Sequence, residues 1–129
     1  MGQQQLLLII LGVIIVGIAI AVGLSMFTAQ SVGANRDAII ADITNMAANA
    51  YQYRIRPTSM GGGGGQYTGY TIPSSLTSNE NGSYTISTAG SSTSIGFQGV
   101  SAQQYGTVTG LYGADGKLSG SFSFAGDFQ

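Results

Sequence analysis

Hydrophobic and polar positions along the chain follow three successive patterns. From Leu6 to Leu24 every residue is Leu, Ile, Val, Ala or Gly, and after a mild interruption at Ser25 the run extends through Met26 and Phe27. A helix over this stretch, at about 1.5 Å per residue, covers about 28 Å, close to the roughly 30 Å hydrocarbon core of a bilayer. The first charged side chain in the sequence is Arg36, so the segment can enter an apolar medium without carrying a charge with it. Met1 to Gln5 contain no Lys or Arg, and the apolar run exceeds the 7–15 residues usual for a signal-peptide core. The segment is therefore expected to stay in the mature protein. Gly12, Gly17 and Gly23 interrupt it at spacings that keep no small-xxx-small face, which does not indicate a simple two-helix dimer.

After Phe27 the period changes. Ile39, Ile43, Met46, Ala50 and Tyr53 recur at three- and four-residue steps, with Ile40, Ala47 and Tyr51 beside them, while Arg36, Asp37, Asn45, Asn49 and Gln52 fill much of the remainder. This is the pattern of an amphipathic helix. Asp42 falls off its main stripe. Ser31 or Asn35 could cap a separate helix, yet their neighbours equally allow one rod over residues 3–55, about 80 Å long. Pro57 supplies the stop, because the residue before a proline is pushed out of α geometry.

From Pro57 onward the apolar residues thin out and alternate. Of 73 residues, 16 are Gly and 22 are Ser or Thr. Gly61 to Gly65 form an unbroken pentaglycine, expected to be a flexible loop. It lacks the Gly-Lys-Ser/Thr ending and the strand–helix context of a phosphate-binding loop. Four short strands are predicted: Ser83–Ser87 around Tyr84 and Ile86, Ser94–Gln98 around Ile95 and Phe97, Tyr105–Tyr112, and Lys117–Phe124 with Leu118, Phe122 and Phe124 on one parity. Asn81-Gly82 and Asp115-Gly116 mark hairpin turns. The core of such a sheet is thin on its own, and the amphipathic stripe is the obvious cover. The expected fold is α+β: a long N-terminal helix at 1–56 (apolar over 1–27, amphipathic over 28–56), a Gly-rich loop at 57–66, and a small antiparallel sheet domain at 67–129.

Composition narrows the chemistry. Nine of 129 residues are charged, net −1, and Cys, His and Trp are absent. A soluble domain normally has about a quarter of its residues charged. Disulfides, thiolate nucleophiles and Ser-His-Asp triads are excluded, and the scattered carboxylates form no visible acid–base pair. We expect no enzyme, cofactor, metal or small-molecule substrate. Asn79-Glu80-Asn81-Gly82 resembles part of a calcium loop but lacks its other ligands, and reads as a turn. Arg54 and Arg56, with Tyr51 and Tyr53 nearby, are explained by the preference of a helix C-terminus for cations, and a nucleic-acid contact is not expected. Asn81-Gly82-Ser83 is a sequon, making Asn81 a candidate glycosylation site expected to be exposed in its turn.

An apolar helix retained in the mature chain, an amphipathic continuation, a glycine loop and a small antiparallel sheet together resemble the type IV pilin superfamily. The likeness covers the whole organisation and rests on it more than on individual identities. It implies an extracellular filament of identical subunits, inserted in the inner membrane before a pilus assembly machinery extracts them. Leu6, Leu7, Ile10, Val13, Ile14, Gly17, Ile20, Gly23 and Leu24 would then form the assembly core. The family's segment is cut from a short basic leader and carries a glutamate at its fifth position, which pairs with a neighbour's terminal amine. Here a leader was removed before Met1, or Gly2 reflects a different route; with Met1 as the mature start, Gln5 stands at the glutamate position and offers a hydrogen bond in place of a salt bridge. No proline interrupts the apolar run and no disulfide closes the C-terminal region. The alternative is a single-span membrane protein displaying the β domain outside the membrane. Lys and Arg normally flank a span on its cytoplasmic side, and this chain has none before it.

Overall fold

The computed structural model describes residues 2–128. The architecture is α+β: one long N-terminal helix, α1 (Gln3–Ile55), and a four-stranded antiparallel sheet of β1 (Gly82–Thr88), β2 (Ser94–Ser101), β3 (Gly106–Gly113) and β4 (Ser123–Gly126) in the order β1-β2-β3-β4. The helix is continuous through Ser31 and Asn35, so neither residue caps a second helix. Thr28 and Thr44 return their hydroxyls to the carbonyls of Leu24 and Ile40 at 2.9 and 2.8 Å, which satisfies these polar groups within the helix. The chain divides into two compact units, Met1–Val32 and Gly33–Gln129.

The first unit is helix alone. The second folds residues 33–55 of α1 onto the sheet. Ile39, Ile43, Met46, Ala47 and Ala50 are buried, on the predicted stripe, and Tyr53 at its end is half-buried. On the sheet Tyr84, Ile95, Phe97, Val108 and Tyr112 face the same core. Their register pairs large residues with glycines: Phe97 opposes Gly110, Tyr84 opposes Gly99, and Gly99 in turn opposes Val108. Gly99 seats the helix. A Cβ there would lie 2.5 Å from Ile39 Cγ2 and 2.9 Å from the Tyr84 ring, so the missing side chain is the space that Ile39 fills. An aromatic series crosses the core edge-to-face, Tyr53–Tyr70–Phe97–Tyr112, with ring centroids 5.4, 6.2 and 6.1 Å apart.

Three expectations are corrected. The pentaglycine is a built cap. Gly63, Gly64 and Gly65 N–H groups donate to the carbonyls of Tyr53, Arg56 and Arg54 at 2.8, 3.0 and 2.6 Å, closing the carbonyls that a helix end leaves open. Glycine is required throughout: Gly61, Gly64 and Gly65 have positive φ, and a Cβ on Gly62 or Gly63 would strike the backbone oxygen of Arg56 or Gln66. A short 3-10 turn, Thr58–Met60, begins this cap. The first hairpin turn spans Asn79 to Gly82, not Asn81-Gly82 alone; Asn79 N donates to the Gly82 carbonyl, and Asn79 Oδ1 accepts from the N–H groups of Asn81 and Gly82. The predicted fourth strand is split. Leu118 forms an isolated bridge with Tyr112, Gly120 turns the chain aside at φ 82°, and regular pairing resumes only at Ser123. The Asp115-Gly116 turn stands, with Gly116 at φ 77°.

Candidate functional site

The candidate assembly residues lie in the first unit and all are exposed: Leu6, Leu7, Ile10, Val13, Ile14, Ile20 and Leu24 among the large ones, between 52 and 67%. Gly17 and Gly23 are exposed with them. Naming nine residues understates the surface. Leu8, Ile9, Leu11, Ile15, Val16, Ile18, Val22, Met26 and Phe27 are as accessible, so apolar side chains cover the full circumference of the helix. The unbroken run was the signal for this, since it has no polar face to leave out. Gln5 is exposed, and its backbone N–H donates to the Gly2 carbonyl at 3.2 Å. A Cβ built on Gly12, Gly17 or Gly23 would meet nothing within 4 Å.

The second unit gathers polar groups at two places. At one, Asp42 reaches the sheet: its Oδ2 accepts from the Tyr84 hydroxyl and from the side-chain amides of Asn79 and Asn81, at 2.9 and 3.1 Å for the amides. Burial acts to raise the Asp42 carboxyl, but the three hydrogen bonds outweigh it and hold the group below its ordinary 3.8. The same carboxylate, after burial, pushes the Tyr84 hydroxyl well above its ordinary 10.0. Beside this cluster Asn35 donates to the Asn81 carbonyl at 3.1 Å and accepts from Ser101 Oγ at 2.6 Å. Asn81 is thus half-buried where exposure was expected, and the nitrogen that would carry a sugar is the one donating to Asp42.

No family model, curated protein or solved structure matches the chain. The functional reading therefore rests on the residues themselves.

The second polar group lies at the C-terminal end of α1. Arg54 stacks its guanidinium 5.6 Å from the centre of the Tyr67 ring, with Nε buried and without a hydrogen-bond partner, and Arg36 does the same over Phe124 at 5.2 Å. Both cations are used in packing. Arg56 is exposed and lines an open cleft of about 280 Å3 with Asn49, Tyr53 and Tyr70. Burial pushes the Tyr70 hydroxyl up to about 12, and it donates to Asn49 Oδ1 at 2.7 Å. Tyr67 and Tyr70, both buried, were missed as core residues from sequence; they follow the pentaglycine in a stretch without strand alternation. Among the described residues no group of three or more acidic side chains comes together to hold a metal.

Proposed function

We propose that the chain is the structural subunit of an extracellular, type IV pilus-like filament, assembled by bundling the apolar halves of α1 with the Gly33–Gln129 unit on the outside. The observation that carries this reading is the exposed, all-round apolar helix in a chain with nine charges. Withdrawing one Leu, Ile or Val side chain from water is worth about 1.5–3 kcal/mol. Summed over the run, this exceeds the roughly 5–15 kcal/mol that holds an ordinary domain together, so the segment does not remain in water. A two-helix seam would cover one stripe and leave the rest wet. Neighbours on every side cover it all, and heterologous contacts that do not close build an open helical polymer. Low charge density suits close packing of many copies, because like charges brought together repel. Before assembly the same segment sits in the membrane, and the partners are further copies of this chain and an export machinery.

Lipid would also cover the helix on every side, and the single-span anchor is the competing reading; an apolar helix of this length is compatible with it. Shearing the source cells, pelleting the released material and imaging it by electron microscopy separates the two. Thin uniform fibres whose tryptic peptides map to this chain, with the apolar segment intact, are the expected result. Recovery only in the detergent-soluble membrane fraction, with no fibres, would favour the anchor.

A further inference from the structure

The cleft at the end of α1 has more order than a surface dimple requires. The Tyr53 hydroxyl donates to the Thr68 carbonyl at 3.0 Å, and its ring meets Tyr70 edge-on, so this wall is fixed. Asn49 Oδ1 accepts from the Tyr70 hydroxyl, which orients the amide, and among the described residues nothing accepts from its Nδ2. Gly69, at φ 85°, closes one side without a side chain; a Cβ there would lie 3.1 Å from the Tyr53 hydroxyl. Arg56 stands at the rim, its backbone pinned because its carbonyl accepts from Gly64 N–H at 3.0 Å. The neighbouring helix carbonyls are satisfied by the glycine cap, so the negative end of the helix is blunted where the guanidinium projects. Thr71, exposed at the rim, adds a hydroxyl.

We infer that this cleft binds a single pyranose unit of a polysaccharide, an acidic one in preference to a neutral one. At about 280 Å3 it falls just below the range of drug-sized pockets and suits one small ring. The walls match the three features of such a ring. Tyr53 supplies an aromatic surface for its C–H groups, the Asn49 amide donates to a hydroxyl or ring oxygen, and Arg56 takes the carboxylate in a charge-assisted pair. A purely apolar ligand would leave Asn49 and Arg56 without partners. The site lies wholly in the second unit, so binding by the dispersed chain tests it whether or not filaments form, and only the filament arm rests on the proposed function.

The test is equilibrium dialysis of labelled trigalacturonate and labelled galactotriose against the full chain, once dispersed in detergent and once as pelleted filaments, with inorganic phosphate as competitor. Saturable binding of both sugars is expected, tighter for trigalacturonate. Arg56→Ala should weaken trigalacturonate by about tenfold and remove the preference over galactotriose. Asn49→Asp, which keeps the acceptor for Tyr70 and removes the two donors, should weaken both sugars by about threefold or more. Lys117→Ala, outside the cleft, should change neither. Arg56 is exposed, so its variant keeps the fold, and near-UV circular dichroism checks Asn49→Asp. Absence of saturable binding, insensitivity to both cleft variants, or displacement of trigalacturonate by equimolar phosphate would overturn the assignment. Binding to the dispersed chain but not to filaments would also overturn it, because a neighbouring copy would then be the natural occupant.

Discussion

Glycine means opposite things in the two halves of α1 and the elements around them. In the second unit the close-packed glycines have steric reasons inside the chain: Ile39 occupies the space over Gly99, and the Gln66 carbonyl lies 1.9 Å from where a Gly63 Cβ would be. In the first unit Gly12, Gly17 and Gly23 have empty surroundings. The large residues divide in the same way. Ile39 and Ile43 are 0% exposed, whereas Ile14 is 52% exposed and Phe27 69%. One helix thus carries a half completed by the sheet of its own unit and a half that, taken by itself, is apolar helix alone.

The contrast is broken most directly by a charge in the open half. Ile14→Asp should abolish filament recovery, because an unpaired carboxylate in an apolar bundle costs several kcal/mol, while the melting of the second unit stays within about 0.5 kcal/mol of wild type by thermal circular dichroism. A comparable change in melting would mean that the two units depend on each other. In the closed half, Gly63→Ala forces a side chain into the helix cap and should cost about 3 kcal/mol, lowering the melting temperature by more than about 10 °C. Gly99→Ala, which pushes Ile39 off its seat, should cost about 2 kcal/mol in urea denaturation. Asp42→Asn removes a charged acceptor from Tyr84, Asn79 and Asn81 and should cost about 1–2 kcal/mol. Smallest is Gly17→Ala, which in detergent should strengthen the helix by about 1 kcal/mol at most, since nothing crowds the new methyl.

The Asp42 cluster also sets a pH window. Its folded carboxyl lies below the ordinary 3.8, so the stability it contributes is present above that value and is lost as pH falls through the lower folded one. The Tyr84 hydroxyl lies above the ordinary 10.0, so its contribution is complete below that value and is lost as pH rises through the folded one. Denaturant midpoints should therefore be flat from about pH 5 to 9 and fall on both sides, and Asp42→Asn should flatten the acid side.

Period and alternation made the α+β fold legible. The stripe from Ile39 to Ala50 and the parity of Tyr84, Ile95 and Phe97 each depend on local spacing that a buried face imposes. What escaped depends on contacts distant in sequence. Asp42 reads as off-stripe because only the folded sheet brings Tyr84 and the asparagines to it. Tyr67, Tyr70 and Phe128 are buried without strand or helix periodicity around them. The pentaglycine reads as flexible by composition, yet each N–H that a side chain would have obstructed is what the helix end needs. The candidate assembly surface was legible as a run, but Asn81, in its sequon, gave no hint that its amide would be taken by Asp42.

The absence of cysteine allows a direct test of the central claim that apolar halves pack on copies of themselves. Val13→Cys, Ile14→Cys and Ile15→Cys, each carrying a thiol-linked benzophenone, place a photo-crosslinker at steps of about 100° around the helix, and because the proposed contacts are heterologous the probe need not meet its own position on a neighbour. Irradiation of the labelled cells, followed by denaturing electrophoresis with antibody detection of this chain, should give covalent dimers from probes on more than one face. Monomer alone at all three positions, with the chain present in the membrane, would contradict the account.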